Sequence, residues 1–479
     1  MLRVKKYYKF SSWGVKIDFW AIVIIFLVYA FLYSLLSVVR HDHFQSQGID
    51  FSIYDQVLWL NSHFYRPFST ITNLLDFADR FRPIMIPLSM IYWFTQNERA
   101  LLIFQSVIMT ATVFPIWLLA RKLLPKALAI VIAFLYLNYV GVQSIIVSDF
   151  HEMSLLPFFM AFLFYFLEKE KWRSFFITLI ICLSVREHVG FLLATMGIYI
   201  YLAKKRMKFA LATILISILW SVIVIKVIMP FFGRTNYYEL STHTTLSGAI
   251  FNYIIHPNLA VENYFVPIVK TQTLFWSFSS FAFVPLLYLP LLPMITFQFA
   301  SRFLDPLHPI RWTLYYQYSA ELAVLLSVST IYSLKNILDK LKGYKYTLQM
   351  LIIILILSQI ITNIILASPL KNLLKKQFYL KEPWMYDTNK IISLVPSNSS
   401  VAAQNNLLPH LSHRKNVYIL PNTEEAEYIV VDLHPGQNNW NFYSGNLASA
   451  TLQFKQLILS KNYTIVGSSE NAYLIKRSL

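Results

Sequence analysis

Just after the first long apolar run, the segment Gly48-Ile-Asp-Phe-Ser-Ile-Tyr-Asp-Gln-Val-Leu-Trp59 carries two carboxylates, Asp50 and Asp55, in a chain otherwise poor in charge. A carboxylate at the mouth of a membrane cavity can take the proton from an attacking hydroxyl, which is the work of a general base. The two acids are five residues apart, about 140° round a helix, so they cannot share one face. At most one faces a cavity, and solvation or capping of the following helix accounts for the other. Asp50 is the stronger candidate for a chemical role, and Asp55 a candidate substrate contact.

Three further groups carry types suited to chemistry. Asp149 and His151 are spaced as neighbours on one side of an extended turn, fitting metal ligands or a carboxylate that tunes an imidazole. Asp149 equally suits the cap of the next helix, with Glu152 as its third-position partner. Arg186-Glu187-His188 interrupts a stretch, Phe175 to Leu202, that is otherwise apolar. Ionisable groups at that depth are costly unless paired or facing water. Glu187 is an acid, base or metal ligand by type, Arg186 a phosphate ligand, and His188 a substrate contact. Arg302, with Asp305, His308 and Arg311, precedes Tyr315, Tyr316 and Tyr318. Arg302 matches the oxygens of a phosphate, and Tyr318 suits a sugar or the interfacial aromatic belt. A divalent cation, magnesium or manganese, would have Asp149, His151 and Glu187 as its ligands, although no further His or Cys completes a metal spacing. The loop 230–273 holds Arg234, His243, His256 and Glu262 without an informative pattern.

These groups need a frame. The 479 residues are 56% hydrophobic and 14% charged, against roughly 25% charged in soluble proteins, so most of the chain has no water to face. The net charge of +17 sits in short runs between apolar segments, the mark of cytoplasmic loops rather than of nucleic-acid binding. A single cysteine, Cys182, excludes an intrachain disulfide, and 11 glycines argue against glycine-packed helix pairs as the main design. About eleven transmembrane helices are expected, at 18–39, 99–120, 127–147, 153–167, 174–187, 189–203, 209–229, 274–289, 290–304, 315–334 and 346–367. The run 84–95 is too short to cross and is expected to dip in from outside. Arg3, Lys5, Lys6 and Lys9 place the N-terminus in the cytoplasm, with later basic turns at 121–126, 169–173, 204–208 and 335–345. That threading puts the loop 40–98, residues 148–152, residues 186–188, the loop 230–273 and everything after 367 on the outer face.

From about 368 the chain turns polar. Short runs at 399–404, 417–420 and 428–432 read as strands, 453–461 as a helix, and 463–466 with 472–475 as a hairpin. The expected organisation is a helical membrane domain, 1–367, and a small extracytoplasmic α/β domain, 368–479, with no phosphate-binding glycine loop.

The ordered motifs carry a resemblance. Asp50-Phe-Ser-Ile-Tyr-Asp-Gln-Val-Leu-Trp59 resembles the D-x-x-x-x-D-Q-x-x-W signature of polytopic membrane proteins containing domain of unknown function 2079. Asp79-Arg-Phe-Arg-Pro83 is similar to that family's D-H-F-x-P, Leu118–Leu123 to the run after the next span, and Asp149-Phe-His151 to its D-F-H. Arg186-Glu187 is similar to its basic-Glu pair, Gln317-Tyr-Ser-Ala320 to its H-Y-S-A, and Pro396 to Pro421, with Leu408-Pro-His-Leu-Ser-His-Arg414, to its outer tail. The chain departs at Arg80, His188 and Gln317, where the pattern has His, Asp and His. The family in turn resembles the GT-C glycosyltransferases, which implies a GT-C-like fold, a first-loop carboxylate acting as base at Asp50, and Asp79 near the substrate.

The implied activity is an inverting transfer of a sugar from a polyprenyl-phosphate donor to an extracytoplasmic glycan, lipid or protein acceptor. A transporter or lipid flippase of the cell envelope is the alternative, although repeat symmetry is absent from the sequence and the charges gather on one side. A non-catalytic membrane scaffold for the outer tail is the third reading, and it leaves Arg186-Glu187 unexplained. The expected partners are the lipid-linked donor, the acceptor and membrane lipids.

Overall fold

Helix length divides the apolar runs into two classes. In the computed structural model, which describes residues 12–234, 239–240, 244–306, 308–341, 346–423 and 425–478, five helices are long and apolar enough to cross a bilayer. They are Ile17–Asp42, Arg99–Leu123, Met207–Phe231, Gln317–Lys340 and Thr347–Ile365. Lys126–Asn138 and Val140–Ile146 make a sixth if the pair, bent by 48°, counts as one span. The other expected spans are helices of 12 to 16 residues: Leu156–Glu168, Trp172–Leu183, Val189–Lys204, Ile268–Ser279 and Leu292–Phe303. At 1.5 Å per residue these reach only about 18–24 Å, short of a hydrocarbon core of about 30 Å. Of the eleven expected spans, five, or six with the bent pair, are long and apolar enough to cross by length and composition among the described residues. Prolines at 285, 290 and 293 and the polar break at 184–188 cut the remaining runs. The run 84–95 forms two short helical turns, Met85–Leu88 and Ile91–Phe94. His243 and the basic residues Arg3, Lys5, Lys6, Lys9, Lys342 and Lys345 lie outside the described residues.

Burial sorts the long helices. Gln317–Lys340 is the axis of the bundle, with 78% of its apolar window buried, whereas Thr347–Ile365 and Met207–Phe231 bury 17% and 22%. Their outward faces, among them Ile353, Leu357, Ile361, Leu215 and Leu219, have no protein to pack against and match lipid. Met207–Phe231 lies tightly on Val189–Lys204. A Cβ on Gly190 would meet the Ser217 carbonyl oxygen at 2.2 Å, so this one crossing does use glycine for backbone approach.

Charges form two layers at the two ends of the helices. At one end Asp18 pairs with Arg121 and Lys126, and Glu168 with Lys122 and Lys204. At the other end of the first helix, Arg40 pairs with Asp149 and Asp42 with Arg99. Asp18 and Arg40 are separated by 22 residues of helix, about 33 Å, so the layers stand a membrane thickness apart.

The C-terminal region builds a five-stranded sheet on the second layer. Val401–Ala403 pairs in parallel with Val417–Ile419 on one side and Tyr428–Asp432 on the other. Ala472–Arg477 joins antiparallel to Tyr428–Asp432 and carries Tyr463–Ser469 at the edge. The three parallel strands are buried on both faces, which is why they read as unbroken apolar runs. One apolar cluster of this region includes Phe44 from the loop after the first helix, so sheet and loop share a core.

Docking is completed by polar contacts to the loop 47–70. Thr70 Oγ1 donates to the Val417 carbonyl and accepts from its N–H, and Gln56 donates to the Lys415 carbonyl. Asp55 is fully buried and accepts from Tyr92, from Ser412 at 2.5 Å, and from His413, whose Nε2 lies 3.1 Å away. Burial lowers the proton affinity of the His413 ring, but the charge and hydrogen bond of Asp55 more than offset it and hold the ring above its ordinary value. A raised value in the folded state means this pairing stabilises fully below about pH 6.5 and weakens as pH climbs through the raised value. Tryptic cleavage at the exposed Lys375 and Lys376 in the connecting segment is therefore expected to accelerate as pH rises from about 6 to about 9, after correction for the pH dependence of trypsin itself. Asp55→Asn should cleave faster at the acid end and lose that pH dependence; unchanged behaviour in the variant contradicts the assignment.

Candidate active site

Asp50 projects from backbone that is held from two directions. Gly48–Ser52 forms one turn of π-helix leading into the helix Ile53–Ser62. From the C-terminal region, the Asn405 carbonyl accepts from Gly48 N–H at 2.6 Å and its side-chain oxygen accepts from Ile49 N–H at 3.0 Å. From the turn 147–151, Asp149 accepts from Gln47 N–H at 2.9 Å and is itself paired with Arg40 at 3.0 Å. A Cβ on Gly48 would stand 2.9 Å from the Leu408 Cβ, so a side chain here would push the two segments apart. Asp149 sits in the left-handed region, φ +64°, which Asp tolerates better than most residues.

The Asp50 carboxylate is 47% accessible, and its Oδ1 lies 3.7 Å from His151 Nε2. His151 is buried against the Tyr54 ring, with its N–H held by Gln105 at 2.9 Å. Among the described residues its Nδ1 has no hydrogen-bond partner. Beside it the fully buried Glu152 faces Arg186 at 3.2 Å and Arg82 at 4.0 Å. Burial would lift the Glu152 carboxyl, but the two guanidinium groups overcome that and hold it below the usual carboxylate range. Arg82 also binds Asp76 at 2.8 Å through Nε and lies 4.4 Å over the Tyr54 ring. Glu187 accepts from Phe81 N–H at 3.0 Å and stands 3.6 Å from both Arg186 Nε and His188 Nδ1. His188, 39% exposed, opens this row of charges to solvent. Asp79 is bracketed by Arg80 at 3.5 Å and Arg234 at 3.8 Å. An unpaired buried charge costs several kcal/mol, and here each buried carboxylate faces a guanidinium.

A second cation, at the end of the helix Leu292–Phe303, reaches the start of the axial helix. Arg302 is buried and donates through one terminal nitrogen to the Tyr318 carbonyl at 3.0 Å and to Ser319 Oγ at 2.9 Å. Its Nε and second terminal nitrogen have no hydrogen-bond partner among the described residues. Glu321, in the first turn of the axial helix, accepts from Gln298 at 3.0 Å. Such an arrangement can bind and neutralise an oxyanion while a nearby carboxylate accepts a proton.

The expected residues fall into separate places. Asp50 and His151 meet, and Arg186, Glu187 and His188 adjoin them through Glu152. Asp55 is turned to the docking contact with Ser412 and His413, so its oxygens are already in use. Asp149 positions the loop. Tyr318 supplies its carbonyl to Arg302 while its ring lies 5.6 Å from the Arg311 guanidinium. Among the described residues Asp149, His151 and Glu187 are not a group whose ligand atoms all lie within 4.8 Å of one another. Among the described residues the group close enough to share one ion is instead His41, Glu98 and His410. Sequence pattern alone passes over Arg82, Asp76 and Glu321, whose only signal is a charge beside apolar runs.

Comparisons with known proteins agree with this architecture. Among curated proteins none matches by sequence. Among solved structures, ArnT from Cupriavidus metallidurans bound to undecaprenyl phosphate is similar, with TM-score 0.52 and 10% identity over 95% of this chain and 97% of that one. The Archaeoglobus fulgidus oligosaccharyltransferase, tethered to an acceptor peptide containing the NVT sequon, aligns at TM-score 0.45 and 12% identity, covering 95% of this chain and 74% of the other. Both are GT-C glycosyltransferases. The family described as "Predicted membrane protein (DUF2079)" matches residues 40–471, and the chain belongs to it.

Proposed function

We propose that this protein is an inverting glycosyltransferase that moves a sugar from a polyprenyl-phosphate donor to an acceptor hydroxyl on the outer face of the membrane. The observation that carries the reading is the half-exposed Asp50 carboxylate, fixed beside the buried His151 at the edge of an arginine-bearing charge cluster. The GT-C-like fold supports it, as does a similar structure that binds undecaprenyl phosphate. The charge layer containing Asp18, Arg121, Lys126 and Glu168 faces the cytoplasm in this reading, because the adjoining turns hold the excess of Lys and Arg.

In the proposed step the acceptor oxygen attacks the anomeric carbon, the bond from that carbon to the phosphate oxygen breaks, and the phosphate leaves with the electron pair. Asp50 takes the acceptor proton as the new bond forms, and His151 orients the carboxylate. Negative charge grows on the departing phosphate in a region of low dielectric, where preorganised donors count most. Arg302 has two donors to spare for it, and Arg186 belongs to the charge cluster. No step is routed through a metal at Asp149, His151 and Glu187.

Incubating the purified protein with a panel of radiolabelled polyprenyl-phosphate sugars, and following which label leaves the lipid, tests the reading directly. Transfer to an acceptor supports it; label crossing a vesicle bilayer without transfer overturns it in favour of transport. Asp50→Asn should reduce kcat by about 10²–10⁴-fold with the folded protein unchanged in thermal stability. Near-normal turnover would remove Asp50 as the base. Arg302→Lys keeps the charge but loses the planar fork, so kcat/KM should fall by about 10–100-fold, as expected for one charged hydrogen bond.

A further inference from the structure

On the far side of the Asp50 turn, three side chains from three distant parts of the chain converge. His41 lies at the end of the first helix, Glu98 just before the second long helix, and His410 in the C-terminal region. Their potential ligand atoms all lie within 4.8 Å of one another. His41 Nε2 is 3.3 Å from Glu98 Oε1, and His410 Nδ1 is 4.0 Å from the same oxygen. We propose that His41, Glu98 and His410 bind a zinc-class divalent ion that staples the C-terminal region to the first two long helices.

Four observations carry this. Two nitrogen or oxygen ligands of a tetrahedral zinc, each bonded at about 2.0–2.1 Å, stand about 3.4 Å apart, close to the spacings here. The ligand set, two imidazoles and one carboxylate, is one that zinc accepts with a fourth position for water. His410, whose side chain is 7% exposed, makes no ring hydrogen bond among the described residues, and its Nε2 is buried without a partner. Nδ1, which faces Glu98 Oε1 at 4.0 Å, is thus left to the shared space, while Nε2 stays an unpaired atom on the other side of the ring. His41 is oriented from behind, as metal ligands are. Ser46 Oγ lies 3.1 Å from His41 Nδ1, which leaves Nε2 to the shared space. Arg99, anchored on Asp42 at 2.7 Å, touches Glu98 Oε1 at 2.9 Å and fixes the carboxylate. The His410 ring is wedged between His41, 4.3 Å away by ring centroids, and Phe44 at 4.6 Å.

The proposal does not depend on the sugar-transfer reading, because the three residues are not those of the Asp50 cluster. Their link to it is mechanical. The His41 ring packs on Phe51, the neighbour of Asp50, with centroids 5.3 Å apart, and Leu408 of the same short turn as His410 abuts Gly48. An ion here would stiffen the turn that carries Asp50.

The test uses the full chain in detergent, stripped with chelator, equilibrated with zinc chloride, desalted and assayed for metal by mass spectrometry. The expected result is about one zinc per chain, a rise in thermal midpoint on adding zinc, and cobalt substitution giving the intense visible bands of a tetrahedral site. His410→Phe, which preserves the ring packing, should lose at least about 90% of the bound zinc together with the thermal shift. Glu98→Gln, nearly isosteric, gives the same reading if the first variant does not fold. Parent protein that retains no zinc, or either variant retaining as much as the parent, overturns the proposal.

Discussion

The structure depends on the clamp that holds residues 47–49. Three consecutive backbone N–H groups, of Gln47, Gly48 and Ile49, point at acceptors supplied by Asp149 and Asn405, from sites more than 100 and more than 350 residues away in the sequence. An isolated π-turn has poor hydrogen-bond geometry and would relax to an ordinary helix, so tertiary partners must hold it. What the clamp secures is direction: Asp50 leaves the turn toward His151, and Asp55, about 140° further round, leaves toward His413. One short segment therefore serves two neighbours, the 149–152 turn and the C-terminal docking surface.

The second constraint is electrostatic. Five buried or half-buried charges around Tyr54 would be prohibitive one at a time, but Asp76, Arg82, Glu152, Arg186 and Glu187 alternate in sign along the row. Alternation lets each charge repay part of its neighbour's desolvation. It also ties the loop 76–82 and the breaks before 156 and 189 into one body. Preorganised dipoles and charges of this kind are most effective where water is excluded, and Asp76, Arg82, Glu152 and Glu187 are buried from it while His188 leaves one end open.

Much of this is legible in the residues themselves. The charge-poor composition determines a membrane protein, and the unbroken apolar runs at 401–403, 417–419 and 428–432 announce buried parallel strands. The pairing of Asp50 with the 149–152 turn follows from their shared side of the membrane. The span count does not follow, because a run such as 274–304 satisfies hydropathy over a length that proline then divides. The surroundings of Asp55 do not follow either, for a related reason. A carboxylate's type says nothing of whether Ser412 and His413 will arrive to occupy it.

Composition, periodicity and charge runs by themselves determined the membrane environment, the one-sided gathering of reactive groups and the strand-rich tail, because each is set by the local exchange between water and an apolar medium. Only the tertiary structure decided which acid faces His151, that two nitrogens of Arg302 have no partner among the described residues, and that His41, Glu98 and His410 converge. Those outcomes depend on contacts between residues 16 to 369 positions apart, and no local pattern encodes which distant partner a polar atom will meet.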